Sequence, residues 1–389
     1  MKSIKFKKHM GLIALSIVLT VSLVTGTALA GQGTLQPAAK TQTSHGAKVV
    51  DFTPTSSARS NGNQLYYALQ EEGPKTIVIK EGSNFKIDRV LYLTNDTKII
   101  AKNCTITQIG SGKNIFVHEI KGGNYQSLKN VEIDGGTWQT IGNKAIASIF
   151  RFAHADGIKI KNATVYTNYQ GHGIGFIACR NSSIDNCKVI AKTQGSSKSL
   201  EEAIQLDVAS KATAPFLARE GSKYVQGQTC NNIKITNCTI HGSRGLTTNH
   251  TKTENNKWIN KYHSKITVTG NNITSTSSEA LVLHNAVGLT VKNNKITTPN
   301  KRLKETYSIG LNIALLGKNK IASKYSNVIS GNTIKGGRQG LHLWSYTSSK
   351  YGKTTVTNNK CYARTGAKNA IKIGGCKSVV NKGNKSYKY

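Results

Sequence analysis

Short segments of alternating apolar and polar residues recur along most of the chain. One kind of segment fits the pattern I-x-N-x-x-I or a close variant, and it occurs at 133–138, 160–165, 184–189, 235–240, 268–273, 291–296, 329–334 and 356–361. The other kind begins with a small residue followed by alternating apolar residues, and it occurs at 173–177, 203–207, 245–249, 280–284, 310–314, 340–344 and 370–374. A period of two predicts β-strands whose apolar side chains face inward and whose polar side chains face outward.

The order and polarity of these segments indicate how the strands are arranged. A single unit cannot bury its apolar face alone, whereas stacked units share a continuous core. The repeats keep one polarity and Asn-Gly hairpin signals are scarce, which disfavours an antiparallel sandwich or a propeller. The recurring Asn or Gly suits a turn in the left-handed conformation, and equivalent Asn side chains would form a hydrogen-bonded ladder. The pattern therefore predicts an all-β parallel β-helix.

The N-terminal region divides into three parts. Residues 1–30 combine a basic start, an apolar stretch and the small-residue site Ala28-Leu29-Ala30, which predicts a cleaved signal peptide. Residues 31–48 lack periodicity and predict a flexible lead-in, and 49–389 predict a single β-helix domain. Apolar residues at helical spacing in 61–70 predict a short helix that caps the open end of the core. We expect a secreted protein, extracellular or loosely associated with the cell wall, without a membrane span.

The net charge and the cysteine content narrow the classes of ligand and metal that the chain is expected to bind. The signal segment contains four of the 53 basic residues and no acidic residue, so 49 basic and 18 acidic residues leave the mature chain at +31. This charge favours polyanions such as uronic-acid polysaccharides or wall polymers, although a merely soluble lysine-rich surface is the alternative. Export argues against nucleic acid as partner. The seven cysteines form no metal-binding spacing, and Cys187 and Cys238 are expected to stack as thiols rather than to bridge. We expect a monomer without metal or cofactor.

Several stretches resemble a known class of proteins. The capping helix, the stretch TIVIKEGSNFKIDRVLYLTNDTKIIAKNCTI and the stretch NVEIDGGTW resemble right-handed parallel β-helix proteins of the pectate lyase and polygalacturonase type. The resemblance covers nearly all the mature chain and implies a right-handed solenoid. The segments EAIQLD, HGSRGL and KYHSKITVTGNN look more like secreted β-helix proteins of Gram-positive bacteria, for which no activity is assigned. Gly171-His172-Gly173 matches one polygalacturonase motif, but the Asn-Thr-Asp, Asp-Asp and Arg-Ile-Lys motifs are absent, as is an acidic calcium-binding cluster.

Alignment of the second kind of segment brings ionisable residues together. His172, Glu202, Arg244 and Glu279 would lie in one column of successive coils about 4.8 Å apart. Strict alternation would point the side chains at 202 and 244 inward, so we expect the turn before each strand to expose them. Remaining members of the predicted site flank this column or lie one or two coils away: Arg151, Gln205, Asp207, Asn249, His250, His284 and, in a separate patch beside His342, Trp344.

These residue types fit acidic-polysaccharide chemistry. A polysaccharide lyase needs a cation to neutralise the uronate carboxylate and a base to remove the adjacent proton. Arg151 or Arg244 suits the first role, and His172 or His250 suits the second. A glycoside hydrolase instead needs two carboxylates about 5 to 10 Å apart, which Glu202 with Asp207 or with Glu279 would supply. An ordinary ion pair between Glu202 and Arg244 is the structural alternative.

We therefore predict a secreted carbohydrate-active protein that cleaves an acidic polysaccharide, with lyase preferred over glycoside hydrolase. Catalytic roles are predicted for His172, Glu202, Asp207 and Arg244, and substrate-binding roles for Arg151, Gln205, Asn249, His250, Glu279, His284 and Trp344. An epimerase shares the fold and the proton abstraction, and the sequence does not separate it from a lyase. The alternative is a non-catalytic surface protein that binds wall polymers or glycans through its many lysines.

Overall fold

The computed structural model describes residues 41–44, 46–111, 114–140, 148–167, 171–191, 202–250, 257, 259–299 and 308–389. The predicted signal peptide lies outside the described residues. The described chain winds into a right-handed parallel β-helix with a short N-terminal helix, as predicted. Each coil contributes one strand to each of three faces, and we call these faces 1, 2 and 3 in the order in which the chain visits them.

Faces 1 and 2 belong to one sheet because the two long strands β6 and β8 run across both faces. Among the described residues this sheet has 23 strands. Face 1 contains β1 (Thr41–Ser44), β2 (Ala47–Phe52), β3 (Lys75–Ile79), the first parts of β6 (Thr97–Gln108) and β8 (Leu128–Thr140), β10 (Ala155–Lys161), β13 (Arg180–Asp185), β16 (Asn231–Thr236), β19 (His263–Thr269), β22 (Ala286–Val287), β23 (Thr290–Lys292), β26 (Asn327–Ser330), β29 (Tyr351–Thr357) and β32 (Cys376–Lys382). Face 2 contains β4 (Asn84–Ile87), the second parts of β6 and β8, β11 (Thr164–Thr167), β14 (Lys188–Ala191), β17 (Thr239–Gly242), β20 (Asn272–Ser275), β24 (Lys295–Thr297), β27 (Thr333–Gly336), β30 (Lys360–Ala363) and β33 (Lys385–Lys388).

Face 3 is a separate sheet of ten described strands. These strands are β5 (Leu91–Tyr92), β7 (Phe116–Val117), β9 (Ser148–Ala153), β12 (His172–Ile177), β15 (Glu202–Asp207), β18 (Arg244–Thr248), β21 (Leu281–His284), β25 (Ile309–Leu315), β28 (Gln339–Ser345) and β31 (Ile371–Ile373). Neighbouring strands pair in parallel, for example Ile174 with Ile204 and Ile204 with Leu246. These inward side chains are fully buried, so the core is continuous from coil to coil.

The N-terminal end of the core is covered by helix α1 (Ala58–Gln70). Its N-cap is Ser57, whose hydroxyl accepts a hydrogen bond from the Ser60 N–H at 3.2 Å, so the helix starts three residues before the predicted span. Leu65 and Leu69 are buried against the first coils. A second short helix, α2 (Pro215–Glu220), lies in the long connection between β15 and β16, and 3-10 turns occur at Ser222–Tyr224, Lys320–Lys324 and Ala367–Asn369.

The predicted boundary at residue 49 differs from the structure. β1 lies within the segment expected to be an irregular lead-in, and it pairs antiparallel with β2, which starts at Ala47. β2 then pairs in parallel with β3, with Lys48 opposite Lys75. Backbone pairing along this edge thus extends the ordered domain toward the N-terminus, although the sequence of β1 shows no apolar alternation.

The turn between faces 1 and 2 explains the recurring Asn and Gly. Asn162, Asn186 and Asn237 have positive φ angles of 55°, 50° and 56°, and Gly270 occupies the next equivalent position at 71°. The following residue points inward, and in the last five coils it is a buried or half-buried asparagine: Asn271, Asn294, Asn332, Asn359 and Asn384. Each of these side chains bonds to the next, which confirms the predicted ladder; the Asn294 Nδ2 donates to the Asn332 Oδ1 at 2.9 Å.

All seven cysteines are free thiols. Cys187 and Cys238 occupy the inward turn position upstream of the asparagine ladder, and the Cys187 N–H lies 3.4 Å from the Cys238 Sγ. The two cysteines therefore stack in successive coils, as expected. Within the described residues, no helix has the length and apolar character needed to cross a bilayer.

Candidate functional site

Four ionisable side chains line up along the edge of face 3 where the chain enters successive strands. The His172 Nδ1 lies 3.3 Å from the Glu202 Oε2, and the Arg244 Nη1 lies 3.4 Å from the Glu202 Oε1. The Arg244 Nε lies 3.4 Å from the Glu279 Oε2. These four residues, which we call the ionic row, come from four consecutive coils, as the alignment predicted.

The ionic row is buried, contrary to the expectation that the turn would expose it. Glu202 is 3% exposed and Glu279 is 1% exposed. The Arg244 guanidinium lies between these two carboxylates and compensates part of their charge, which a buried carboxylate requires. The turn does divert the side chains from the apolar core, but toward one another rather than toward solvent. His172, with 22% of its side chain exposed, is the most accessible member of the row.

The hydrogen-bonded chain continues beyond the predicted residues. The Asn312 Nδ2 donates to the Glu279 Oε1 at 3.2 Å, and the Asn312 Oδ1 lies 3.0 Å from the His342 Nδ1. The Ser278 hydroxyl donates to the Glu279 Oε2 at 2.5 Å. Asn312 and His342 are in register on β25 and β28, in the outward position of the aligned segments. That shared outward position is the sequence signal by which they could have been assigned to the site.

Asp207 forms a second polar pair next to the ionic row. Its Oδ1 accepts a hydrogen bond from the Asn249 Nδ2 at 2.8 Å, and the residue is only 2% exposed. Burial is the main cause that raises the pKa of Asp207 to about 8; the negative charge of Glu202 acts in the same direction, and the hydrogen bond from Asn249 opposes it. Asp207 is therefore mostly protonated at neutral pH. Gln205, on the same strand, lies with its Nε2 3.5 Å from the Glu202 Oε2.

His250 and His284 form a pair on the next coils. Their Nδ1 atoms are 3.2 Å apart and their rings meet edge to face. Burial is the main cause that lowers the pKa of His250 to about 4, and the positive charge of Arg244 adds to it. Burial likewise lowers the pKa of His284 well below its usual value. Both imidazoles are neutral at pH 7, and His250 is a weaker base than the predicted role requires.

Arg151 lies apart from the ionic row, in a cleft of about 320 Å³ near the N-terminal end of face 3. Its guanidinium stacks over the Phe216 ring with 4.0 Å between the guanidinium carbon and the ring centroid. Tyr92, His118 and Glu220 line the same cleft. Arg151 makes no ion pair or hydrogen bond with the described part of the chain. Sequence reasoning missed Phe216 because it lies on α2, outside the repeat; Pro215 at the helix start was the available signal.

Trp344 forms a third, separate patch. The Lys372 Nζ lies 4.5 Å from the centroid of its ring, and a Cβ on Gly374 would approach the ring within 2.2 Å. The ring is half-buried between these two residues of the next coil. The structure thus distributes the predicted site over the ionic row with its neighbours, the Arg151 cleft and the Trp344 patch. Among the described residues, no three His, Cys, Asp or Glu side chains are grouped to hold a metal ion.

The three parallel faces and the capping helix define the chain as a right-handed parallel β-helix protein. No family model matches the sequence, and no curated protein matches it. Two solved structures of PfbA, a surface adhesin of Streptococcus pneumoniae, each align with a TM-score of 0.56 and 14% identity. One alignment covers 85% of this chain and 88% of that chain, and the other covers 86% and 96%. The mannuronan C-5 epimerase AlgE6 A-module of Azotobacter vinelandii aligns with a TM-score of 0.47 and 12% identity over 86% of this chain and 88% of that chain.

The two PfbA likenesses show the fold and leave activity to the site itself. They identify neither the pectate lyase and polygalacturonase group nor a Gram-positive origin. The parallel β-helix fold, by contrast, is supported both by the alignment with PfbA and by the strand pairing described above.

Proposed function

We propose that this protein binds an acidic polysaccharide outside the cell, with the Arg151 cleft holding a carboxylate of the polymer. The observation that carries the proposal is the half-buried guanidinium of Arg151, which has no ion pair or hydrogen bond among the residues that the structure describes. A guanidinium presents its donors in a planar fork that matches a carboxylate, and partial burial strengthens such a contact. A cleft of about 320 Å³ is also at the small end of the range for ligand sites.

The walls of the cleft suit a sugar ring beside that carboxylate. Tyr92 and Phe216 supply aromatic surface on which an apolar sugar face can pack. The predicted signal peptide and the net charge of +35 for the full chain support an extracellular, polyanionic partner. The fold likeness to a protein described as a surface adhesin supports the same location.

A pair of arginines allows a matched test of this proposal. Arg180 also lies over an aromatic ring, that of Tyr125 at 4.9 Å, but its Nη2 is 2.7 Å from the Asp156 Oδ2. We expect Arg151→Gln to weaken binding of polygalacturonate or alginate by tenfold or more, since a charge-assisted hydrogen bond contributes about 1.5–3 kcal/mol. Arg180→Gln should change it less than twofold. Titration calorimetry with a neutral glucan as reference measures both effects.

Two results would refute the Arg151 site. Equal losses in the Arg151 and Arg180 variants would indicate a general charge effect, and unchanged affinity in the Arg151 variant would show that the carboxylate lies elsewhere. Absence of binding by the unmodified protein to every acidic polysaccharide tested would refute the proposed function as a whole.

A second candidate function is proton-transfer chemistry on a uronate, as in a lyase or an epimerase. The observation that favours it is the pKa of about 8 at Asp207, which leaves a protonated carboxyl next to the ionic row at neutral pH. In this proposal Arg244 neutralises the uronate carboxylate, His172 removes the adjacent proton and Asp207 donates a proton. Glu202 acts as a positioning residue, because its Oε2 and its carbonyl oxygen both lie within 3.3 Å of the His172 Nδ1.

The two reactions leave different products. A lyase produces an unsaturated sugar end that absorbs ultraviolet light, whereas an epimerase introduces solvent deuterium at the sugar carbon without cleavage. We expect His172→Gln and Asp207→Asn to abolish the active reaction while leaving polymer binding intact. If uronate polymers give neither absorbance nor deuterium incorporation, the ionic row is structural and only the binding proposal stands.

A further inference from the structure

The outward side chains of face 2 change character along the solenoid. Successive coils place eleven residues in one register column: Asn84, Thr105, Thr137, Thr164, Lys188, Thr239, Asn272, Lys295, Thr333, Lys360 and Lys385. The first seven positions hold one lysine, and the last four hold three. The backbone pairing is the same throughout, so the fold itself does not require this change.

The neighbouring outward column changes in the same coils. Its last three members are Lys335, Tyr362 and Tyr387, in register with one another. The Tyr362 and Tyr387 rings are stacked, with centroids 4.8 Å apart and planes inclined by 20°. The Lys335 Nζ lies 5.3 Å from the Tyr362 ring and 5.1 Å from the Tyr389 ring. These cation–π contacts orient the ammonium group but leave its charge uncompensated.

Acidic side chains that would neutralise these lysines are missing from this part of the chain. The last acidic residue in the sequence is Glu305, and residues 306–389 contain 15 lysines and arginines. Several lysines nearer the N-terminus have carboxylate partners, for example Lys98 with Glu132 and Lys102 with Glu81. Within the described residues, no ion pair involves a lysine of face 2 beyond β20.

We propose that face 2 of the last four coils binds a linear anionic glycan that runs along the solenoid axis. This surface, the lysine stripe, consists of Lys295, Lys335, Lys360 and Lys385 with the tyrosines Tyr362, Tyr387 and Tyr389. Like charges stacked in register destabilise a sheet, and Lys360 lies directly opposite Lys385. A polyanion along the stripe would remove that repulsion, which gives the column a function that the fold alone does not supply.

The spacing of the stripe favours a glycan over nucleic acid. Adjacent coils are about 4.8 Å apart, a distance comparable to one sugar residue in an extended chain. A uronic-acid or sulfated sugar carries one anionic group per residue or per few residues, which the stripe can match with one lysine per coil. Duplex DNA instead presents one charge per roughly 1.7 Å of its axis. The tyrosine edges between the lysines add surface for contact with sugar rings.

This inference rests on the proposed function for its ligand class but assigns a different surface. Arg151 lies on face 3 near the N-terminal end, whereas the stripe lies on face 2 of the last coils. The two surfaces are therefore separable by substitution. The lysines at 295, 360 and 385 are exposed, so their replacement should leave the fold intact.

The test compares two triple variants that lose the same charge. One variant carries Lys295→Gln, Lys360→Gln and Lys385→Gln, and the control carries Lys48→Gln, Lys98→Gln and Lys102→Gln. Each control lysine has a carboxylate partner and lies outside the Arg151 cleft. Binding to immobilised polygalacturonate, to a sulfated glycan, to neutral dextran and to duplex DNA is measured at several salt concentrations, with circular dichroism to verify folding.

We expect the stripe variant to bind both anionic glycans at least tenfold more weakly and the control to change less than twofold. The slope of log affinity against log salt should fall by roughly one for each contacting lysine. Equal losses in both triples, or no loss in the stripe variant, would overturn the proposal. If duplex DNA bound as tightly as the glycans, and the stripe variant lost affinity for DNA to the same extent, the assignment to a glycan would be overturned.

A parallel measurement on Arg151→Gln separates this proposal from the proposed function. A loss of affinity in Arg151→Gln alone would support the proposed function and refute the stripe. A loss in the stripe triple alone would support the stripe and refute the Arg151 site. No binding by the unmodified protein would refute the proposed function and, with it, the stripe.

Discussion

The early and late coils of the solenoid have the same backbone and different chemistry. At the inward turn position, the early coils carry Cys104, Gly136, Ala163, Cys187 and Cys238, and the late coils carry Asn271, Asn294, Asn332, Asn359 and Asn384. In the same register column of face 2, the early coils present mainly threonine, and three of the five late coils present lysine. The described ion pairs lie in the early coils, except that Arg244 also pairs with Glu279 of the first late coil, and no acidic residue follows Glu305.

This comparison shows how charge is managed in one fold. The ionic row, which runs from the early coils to Glu279 in the first late coil, buries its charges and compensates them within the row. The late coils expose lysines that no acidic side chain in residues 306–389 can neutralise, and they join consecutive coils through the asparagine ladder. Each ladder step adds hydrogen bonds between coils, which offset repulsion between stacked lysines. The late coils can thereby hold a positive surface available for a partner.

The largest expected effect comes from removing the guanidinium that compensates the buried carboxylates of the ionic row. Arg244→Met removes the guanidinium between Glu202 and Glu279 and leaves two carboxylates that are 3% and 1% exposed. We expect the free energy of unfolding to fall by about 3–5 kcal/mol, because an uncompensated buried charge costs that much. Urea denaturation at pH 7 measures the change.

A partly exposed ion pair provides the control for Arg244. Lys161, with 39% of its side chain exposed, bonds to Glu132 and Asp134, and Lys161→Gln should cost less than about 1 kcal/mol. Adding Glu202→Gln and Glu279→Gln to Arg244→Met should recover most of the lost stability. A loss below about 1 kcal/mol in Arg244→Met would mean that the row is not a buried compensated unit, and the contrast between the two regions would fail.

The second prediction uses the pH dependence of Asp207. Since its pKa is raised to about 8 in the folded protein, folding favours the protonated form. The stabilisation from this group is complete below the pKa of an ordinary aspartate and is lost as the pH rises through about 8. Asp207→Asn keeps an oxygen for the Asn249 amide and cannot ionise. We therefore expect the variant to gain stability over the unmodified protein as pH rises from about 4 to about 8.

This gain in the free energy of unfolding grows by at most about 1.4 kcal/mol per pH unit between pH about 4 and about 8. A few kcal/mol should therefore accumulate by pH about 8. Chemical denaturation of both proteins at several pH values measures the difference. Asp134→Asn is a matched control, because Asp134 pairs with Lys161 at a partly exposed position. A difference between Asp207→Asn and the unmodified protein that stays constant with pH would show that Asp207 is ionised in the fold.

The fold followed from the sequence because the inward positions repeat. Alternation at segments such as 203–207 and the Asn or Gly of the turn are local signals, and a stacked solenoid turns local signals into a global structure. The ionic row was also predictable, since in-register residues of a parallel sheet become neighbours. The burial of Glu202 and the position of Phe216 could not be predicted, because both depend on the conformation of connections that lack a repeat. The start of β2 at Ala47 was not predicted, because its backbone pairing with β1 leaves no apolar pattern in the sequence of β1.

The third prediction tests the ladder that distinguishes the late coils. The Asn332 side chain accepts hydrogen bonds from the Asn294 N–H and Nδ2, both at 2.9 Å, and donates to the Asn359 Oδ1 at 2.8 Å. Asn332→Ala leaves buried donors without their acceptor, so we expect unfolding free energy to fall by about 2–3 kcal/mol. Cys187→Ala, at an equivalent position of the early coils, should cost less. Equal costs at the two positions would show that the ladder adds nothing specific.

The smallest expected effect concerns the surface charges themselves, and its sign differs between the two regions. Lys360 is exposed and faces Lys385 in the next coil, so Lys360→Gln should raise the free energy of unfolding by about 0.3–0.5 kcal/mol at low salt. Lys161→Gln should lower it, because that lysine has carboxylate partners. Both shifts should vanish near 1 M salt, where the screening length is about 3 Å. Thermal unfolding at two salt concentrations measures the signs. A stabilising effect of Lys360 at low salt would mean that the late coils do compensate this charge, which would remove the reason for expecting a polyanion there.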